Sequence, residues 1–312
     1  MADGWGEVPT TILTEFVLPR QYPPASQLHR AGAKLRGAAL NGKNLDRVDF
    51  TQADLSGANL ERSQLIDAQM ADTNLSGATL AHANLTAANL RRTNLLGAVL
   101  MAATLNQATL NQANLAGANL TEAELHDANL TEADLSYARL RRARLVGANL
   151  SRTRLQRAHA NGADLYGIDG SYAHWEEAQL QGCDLRQANL TQTDLTRAVL
   201  TGANLNQANL ARVNGQGATL QQANLTRANL DHTDLSAADL QRVVMVHASL
   251  TQADLSGANL QDARLDHASV RGCYLRGILW AQTSVRGTHF YQPRGLLECE
   301  KIWLRSQGAI LN

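Results

Sequence analysis

The chain has 312 residues, with 28 Lys+Arg balanced by 28 Asp+Glu and a formal net charge of zero. A neutral chain has no bulk field to draw it to nucleic acid or to an acidic membrane surface. Hydrophobic residues make up 44% of it but aromatic ones only 4%, so the expected core is assembled from many small and medium side chains, chiefly Leu and Ala.

The opening stretch, MADGWGEVPTTILTEFVLP, carries acidic residues early and has no basic segment ahead of an apolar one. It does not read as a signal peptide, and no apolar run approaches the ~20 residues of a membrane-spanning helix, so the expected compartment is the cytoplasm. Residues 1–30 hold Trp5, Ile12, Leu13, Phe16, Val17 and Leu18 before a proline-rich turn, which is apolar surface enough for an N-terminal cap.

From Leu35 a period of five sets in. Of the 47 positions divisible by five between Leu35 and Leu265, 40 are Leu; the exceptions are Phe50, Met70, Ala160, Gly170, Trp175, Gly215 and Met245. Two residues before each stands Ala or a near substitute such as Thr193, Val213 or Cys183. A period of five suits neither an amphipathic helix nor a strand. It suits a solenoid in which each five-residue unit makes one short side and a bend. The large and the small residue point inward, and the other three face water.

The units ADLSG, ANLTE and ADLSY resemble the pentapeptide repeat family over about residues 31–290. That resemblance implies an all-β, right-handed quadrilateral β-helix with four units to a coil, hence about 13 coils and a rod roughly 60 Å long at ~4.8 Å per rung. It also implies an activity known for some members, mimicry of B-DNA toward DNA gyrase. Pairing through C-terminal elements also occurs in the family, and its members are numerous in photosynthetic bacteria, where an assembly role for large complexes is a further expectation.

Charge offers an independent check on coil length, because residues 20 apart should then stack on adjacent rungs, where opposite charges attract. Twelve opposite-charge pairs occur at that offset: Glu122–Arg142, Glu124–Arg144, Glu132–Arg152, Asp134–Arg154, Arg144–Asp164, Arg157–Glu177, Glu177–Arg197, Lys34–Asp54, Arg47–Asp67, Asp72–Arg92, Arg242–Asp262 and Asp266–Arg286. Only Asp164–Asp184 and Asp234–Asp254 are alike in sign. The spacing therefore predicts salt-bridged columns that hold the coils in register.

The C-terminal stretch 291–312 reads as a cap, with a short amphipathic helix from about Gly295 to Gln307 and Gly308 as its stop. Leu296, Cys299, Trp303 and Leu297, Leu304 recur at helical spacing. The same segment is a candidate homodimer surface, on the family resemblance.

No nucleophile-elbow, phosphate-loop, dinucleotide or zinc-ligand motif is present, so neither catalysis nor a cofactor is expected. His247 and His267 should stack on adjacent rungs, but two imidazoles fall short of the three or four ligands of a usual zinc site. Cys183 and Cys273 take the small inward slot and are read as compact hydrophobes. DNA mimicry demands a negative column, whereas residues 31–290 hold 23 acidic and 23 basic residues, and 139–157 hold seven arginines without one acid.

One coil departs from the rest, with Ala160, Gly170 and Trp175 in place of leucine. Ile168 before Gly170, like Val213 before Gly215, moves volume between the two inward slots; Trp175 is expected to fill the space that Ala160 leaves. Tyr166 and Tyr172 point outward beside Asp169, His174 and Glu176, a composition suited to a binding hot spot. Arg152, one rung away, is placed to stack on Tyr172. Arg139 and Arg141 have no acidic partner at the 20-residue offset. These seven residues (Tyr166, Asp169, Tyr172, His174, Glu176, Arg139 and Arg141) are the candidate contacts to a protein partner. The expected function is a non-catalytic, rigid protein–protein interaction scaffold; gyrase modulation and complex assembly are the alternatives.

Overall fold

A computed structural model describes residues 30–312. The expected cap within residues 1–30 lies outside the described residues, Arg30 excepted. From residue 30 the backbone repeats a two-residue bend and a bridging residue every five positions. Parallel bridges join residues 20 apart, from Lys34↔Asp54 to Tyr274↔Arg294, in four columns running the length of the repeat. The coil thus has four faces and four corners, and the offset of 20 read from charge is the offset of the backbone ladder.

The unit's sequence follows from where its five N–H groups go. In the unit around Leu55, the Asp54 N–H donates to the Ala33 carbonyl of the preceding coil and the Leu55 N–H to the Asn74 carbonyl of the next. Gly57 also donates forward, to Ser76, and Ala58 donates back to Leu55 across the bend. Only the Ser56 N–H lacks a main-chain acceptor, and Asp54 Oδ1 accepts it at 3.0 Å. Asp and Asn reach their own backbone two residues on, which is why they recur just before the leucine. The same contact recurs at Asn59, Asn94, Asp134 and Asn229.

The second bend residue is left-handed at every unit. Gly77 has φ +63°, but Ala87, Gln112 and Arg142 adopt φ +57°, +61° and +56° at the equivalent position. A non-glycine residue there costs roughly 1–2 kcal/mol, so neighbouring coils hold the bend in place. Ala237, exposed at φ +55°, tests this. Ala237→Gly is expected to be neutral or to stabilise by up to about 1 kcal/mol, and Gly77→Ala to destabilise by about 1 kcal/mol, read by thermal or denaturant unfolding.

Inside, Leu55 to Leu265 and their small partners form one continuous buried core. Inward threonines satisfy their hydroxyls on main-chain carbonyls, most on the preceding coil, as Thr73 does on Phe50 and Thr193 on Gly170, and Thr153 on Leu150 of its own. Gly170 is filled from two coils: a Cβ built there would lie 3.0 Å from Leu190 Cδ2 of the next coil and 3.1 Å from Trp175 Cζ2 of its own. The indole of Trp175 thus lies against Gly170, a contact that the slot pattern alone had not placed. Its Nε1–H donates to Thr153 Oγ1 at 3.3 Å, so the one polar atom of the ring is satisfied. At Gly215 the nearest filler is Leu235 of the next coil, 2.8 Å from a built Cβ, with Val213 behind it at 3.8 Å.

The ladder continues past the expected boundary at 290, and its last rungs lengthen into strands. Strand β1 (Ser269–Arg271) pairs parallel with β2 (His289–Tyr291). Helix α1 spans Glu298–Ser306, three residues shorter at its start than expected, because Leu297 is the extended N-cap. Gly308, at φ +86°, follows the C-cap Gln307 as foreseen. The chain then returns as β3 (Ile310–Leu311), which adds to β2 in parallel. Leu304 is the fully buried residue of α1, while Leu297 and Cys299, expected to face inward, are exposed.

Candidate functional site

Four faces and four corners decide which outward residues can act together. Tyr166 and Tyr172 occupy successive corners, and Asp169 stands on the face between them. His174 lies on the next face and Glu176 on the corner beyond. Arg139 belongs to the face opposite Asp169, and Arg141 to the corner after it. The seven candidates do not form one patch. Tyr166, Asp169 and Tyr172 frame one face, His174 and Glu176 continue round the same coil, and the two arginines lie elsewhere.

Around the framed face the tyrosines are held rather than loose. Arg152 stacks over Tyr172 at 5.7 Å from the ring centroid, as expected, and Arg186 over Tyr166 at 5.4 Å. Tyr166 Oη donates to Gln187 Oε1 at 2.7 Å. Asp169 caps the Ser171 N–H and receives Asn189 Nδ2, which begins an amide ladder through Asn209 to Asn229. Tyr172 keeps half its surface in solvent, at 51%. The result is two rigid, partly exposed aromatic edges flanking a flat polar strip, which needs little ordering on binding.

The expected salt-bridged columns form in half of the cases. Glu122–Arg142, Glu124–Arg144, Arg157–Glu177, Arg47–Asp67, Asp72–Arg92 and Arg242–Asp262 close to between 2.6 and 3.7 Å. The other six stack without an ion pair, often because the fold uses one partner otherwise. Asp54, Asp134 and Asp164 cap bends, Arg152 lies on Tyr172, and Asp266 is taken by Arg264 and the Arg286 N–H. Arg186 relieves the like-charged Asp164–Asp184 step by chelating Asp184 at 2.6 Å. Hydrogen bonds from Arg92, Arg157 and Arg186 hold the Asp72, Glu177 and Asp184 carboxyls below their ordinary range. With folded values depressed, these pairs favour the fold at neutral pH and lose that contribution as the pH falls through the lowered values.

His247 and His267 stack at 5.2 Å and 16°, as their spacing foretold. Among the described residues no three His, Cys, Asp or Glu side chains are grouped to hold a metal ion. Burial pushes the Cys183 and Cys273 thiols up to about 12, whereas Cys299 is exposed. An aromatic disulfide reagent at pH 8 should therefore titrate one thiol in the native protein and all three of the chain's cysteines in denaturant. Rapid reaction of two or more native thiols would contradict this packing.

Sequence reasoning missed what happens to the Asp/Asn slot in the middle of the rod. Between Asn44 and Asn259 that slot holds a basic residue or histidine at five positions, Arg139, Arg144, Arg154, His159 and His174, all within two coils. Arg139 bridges to His159 on one face and Arg154 to His174 on the adjoining face. The corner between these faces carries Tyr137, Arg157, Glu176 and Glu177, which with Gln156 line a cleft of about 270 Å³. Arg157 donates to Glu177 at 2.7 Å and to Tyr137 Oη at 3.4 Å. His174 Nδ1 lies 3.4 Å from Glu176 Oε1.

The five-residue geometry and its four-faced coil are those of a known repeat class. A model of the pentapeptide repeat region matches residues 43–120, and one of pentapeptide repeats in eight copies matches 133–169, 178–214, 216–245 and 238–277. The chain belongs to the pentapeptide repeat family. No curated protein matches it. Among solved structures it is similar to HetL, a pentapeptide repeat protein involved in heterocyst differentiation regulation in the cyanobacterium Nostoc sp. strain PCC 7120, at 29% identity over 85% of this chain and 94% of that one, TM-score 0.30. QnrB1, a plasmid-mediated fluoroquinolone resistance protein, aligns at 18% identity over 67% of this chain and 89% of that one, TM-score 0.33. A pentapeptide repeat protein from the cyanobacterium Cyanothece aligns at 35% identity over 33% of this chain and 64% of that one, TM-score 0.19.

Proposed function

We propose that the chain is a non-catalytic, rigid scaffold, a right-handed rod of about 13 coils that works in the cytoplasm by docking a protein partner. The observation that carries this reading is the face of Asp169, with Tyr166 and Tyr172 on its two corners, each ring held by an arginine. The interior does not require aromatic residues at these outward positions, where other units place residues as varied as Ser56, Thr121, Gln112, Gly77 and Arg142. Rigid tyrosines offer large contact area at low entropic cost. Gyrase modulation by DNA mimicry is disfavoured by the balanced charge. A supercoiling assay with purified gyrase is expected to show neither inhibition nor protection at micromolar protein.

Photo-crosslinking tests the docking face. A benzophenone amino acid at position 172 in the host should trap a discrete protein partner that the same group at Gln222, on the opposite corner, does not. Tyr166→Ala/Tyr172→Ala, with unchanged unfolding, should reduce co-purification of that partner at least tenfold. Equal trapping at both positions would sink the assignment. The C-terminal edge, where β3 ends the sheet and Leu297 and Ile302 are exposed, is the surface through which a homodimer would form. Sedimentation of Ile302→Glu against the parent chain reads that directly.

A further inference from the structure

The basic residues in the Asp/Asn slot come at a local cost. With Asp or Asn there, the N–H two residues on finds its acceptor; with Arg139, Arg154, His159 and His174 in the slot, the N–H groups of Arg141, Gln156, Asn161 and Glu176 find none among the described residues, as also happens after Thr79, Val99 and Thr109. What sets these four apart from the other uncapped bends is their chemistry: Arg139, Arg154, His159 and His174 put guanidinium and imidazole groups on two adjoining faces about one corner, while Arg144 stands on a third face beside Glu124. Arg139, Arg154 and His159 are exposed and have no side-chain partner among the described residues, unlike Arg157, which is engaged by Glu177. Tyr137, 56% exposed, stands at the corner among them.

We propose that this corner binds an acidic segment of a partner protein, with Arg139, Arg154 and His159 receiving its carboxylates and Tyr137 covering the intervening apolar atoms. The inference rests on the scaffold reading and adds a second surface with its chemistry. Free guanidinium groups pair with carboxylates in fork geometry, and because the whole chain is neutral the attraction is local. Nucleic acid fits less well. A polyanion running along the rod meets Asp134 on the coil before and Glu176 and Glu177 on the coil after, ~4.8 Å to either side. The free cations span a footprint suited to a short acidic segment.

The test is fluorescence anisotropy of a rhodamine-labelled decaglutamate peptide on the full chain, with decalysine and a short DNA duplex as further arms, at low and moderate salt. Decaglutamate should bind saturably and weaken with salt, and the other two should not. The triple variant Arg139→Asn/Arg154→Asn/His159→Asn should lose at least tenfold in affinity. It should also unfold a few degrees higher, because each asparagine restores the acceptor for a bend N–H. Arg212→Ala/Arg227→Ala, removing two exposed arginines elsewhere, should leave binding within twofold of the parent chain. No saturable peptide binding, equal weakening by both variants, or tighter binding of the duplex would each overturn the proposal. Crosslinking at position 172 is independent of this peptide, so failure here leaves the tyrosine face standing and the converse also holds.

Discussion

Trp175→Ala should cost about 4 kcal/mol, the largest single effect expected anywhere in the rod. The indole is fully buried and fills the space of the leucine that is absent at Gly170, so its loss opens a void that two coils share. The reverse change is also harmful. Gly170→Leu drives a branched side chain into atoms already 3.0 and 3.1 Å from the first added carbon, an overpacking worth roughly 3 kcal/mol. The informative variant combines three changes, Ile168→Ala/Gly170→Leu/Trp175→Leu, which return the units around 170 and 175 to the pattern of their neighbours. It should unfold within about 1.5 kcal/mol of the parent chain, although its components do not. Denaturant unfolding of the four proteins measures this. If the triple variant is as unstable as Gly170→Leu, Trp175 is not standing in for the missing leucine.

The second large effect is expected at the C-terminal end. Leu304 is the side chain by which α1 is buried, and Leu304→Ala should cost about 3 kcal/mol of cap docking. In a solenoid each coil touches only its neighbours, so this loss acts locally rather than on the whole rod. Hydrogen exchange should accelerate at Gln292, just after β2, whose N–H bonds to the Asn312 carbonyl, and at Asn312, whose N–H bonds to the Phe290 carbonyl of β2, while amides near Leu150 keep their protection. Uniform acceleration along the chain would show that the cap governs the rod as a single cooperative unit.

Much of this was legible in the sequence because a five-residue period has only one set of inward positions. Leu55 and Ala58 are buried for the same reason as Leu205 and Ala208, and no long-range guess is involved. The i+20 charge matches located the backbone ladder, yet they overstated the ion pairs, since a stacked position does not fix where a long side chain goes. Asp134 illustrates this: the bend N–H of Ser136, two residues away, claims the carboxylate before Arg154 can. The Trp175–Gly170 contact was missed because ring direction is set by packing, not by slot. β3 was missed because two residues at a chain end carry no period. At the site, the tyrosines were visible as exceptions in composition, but their framing of the Asp169 face needed the corners. The five basic slot residues were also there to be read. The signal is the Asp/Asn position taken alone, which reading by charge pairs had merged with the bends.

The claim that the unusual coil has a self-sufficient interior and a functional exterior is tested most directly by one comparison of partner recovery. Ile168→Ala/Gly170→Leu/Trp175→Leu changes only inward residues, and Tyr166→Ala/Tyr172→Ala only outward ones. Quantitative co-purification from the host, with the parent chain as reference, should show the repacked protein recovering its partner at parental yield and the tyrosine variant at a tenth of it or less. Full recovery by the tyrosine variant, with loss by the repacked one, would contradict this account and place function in the interior.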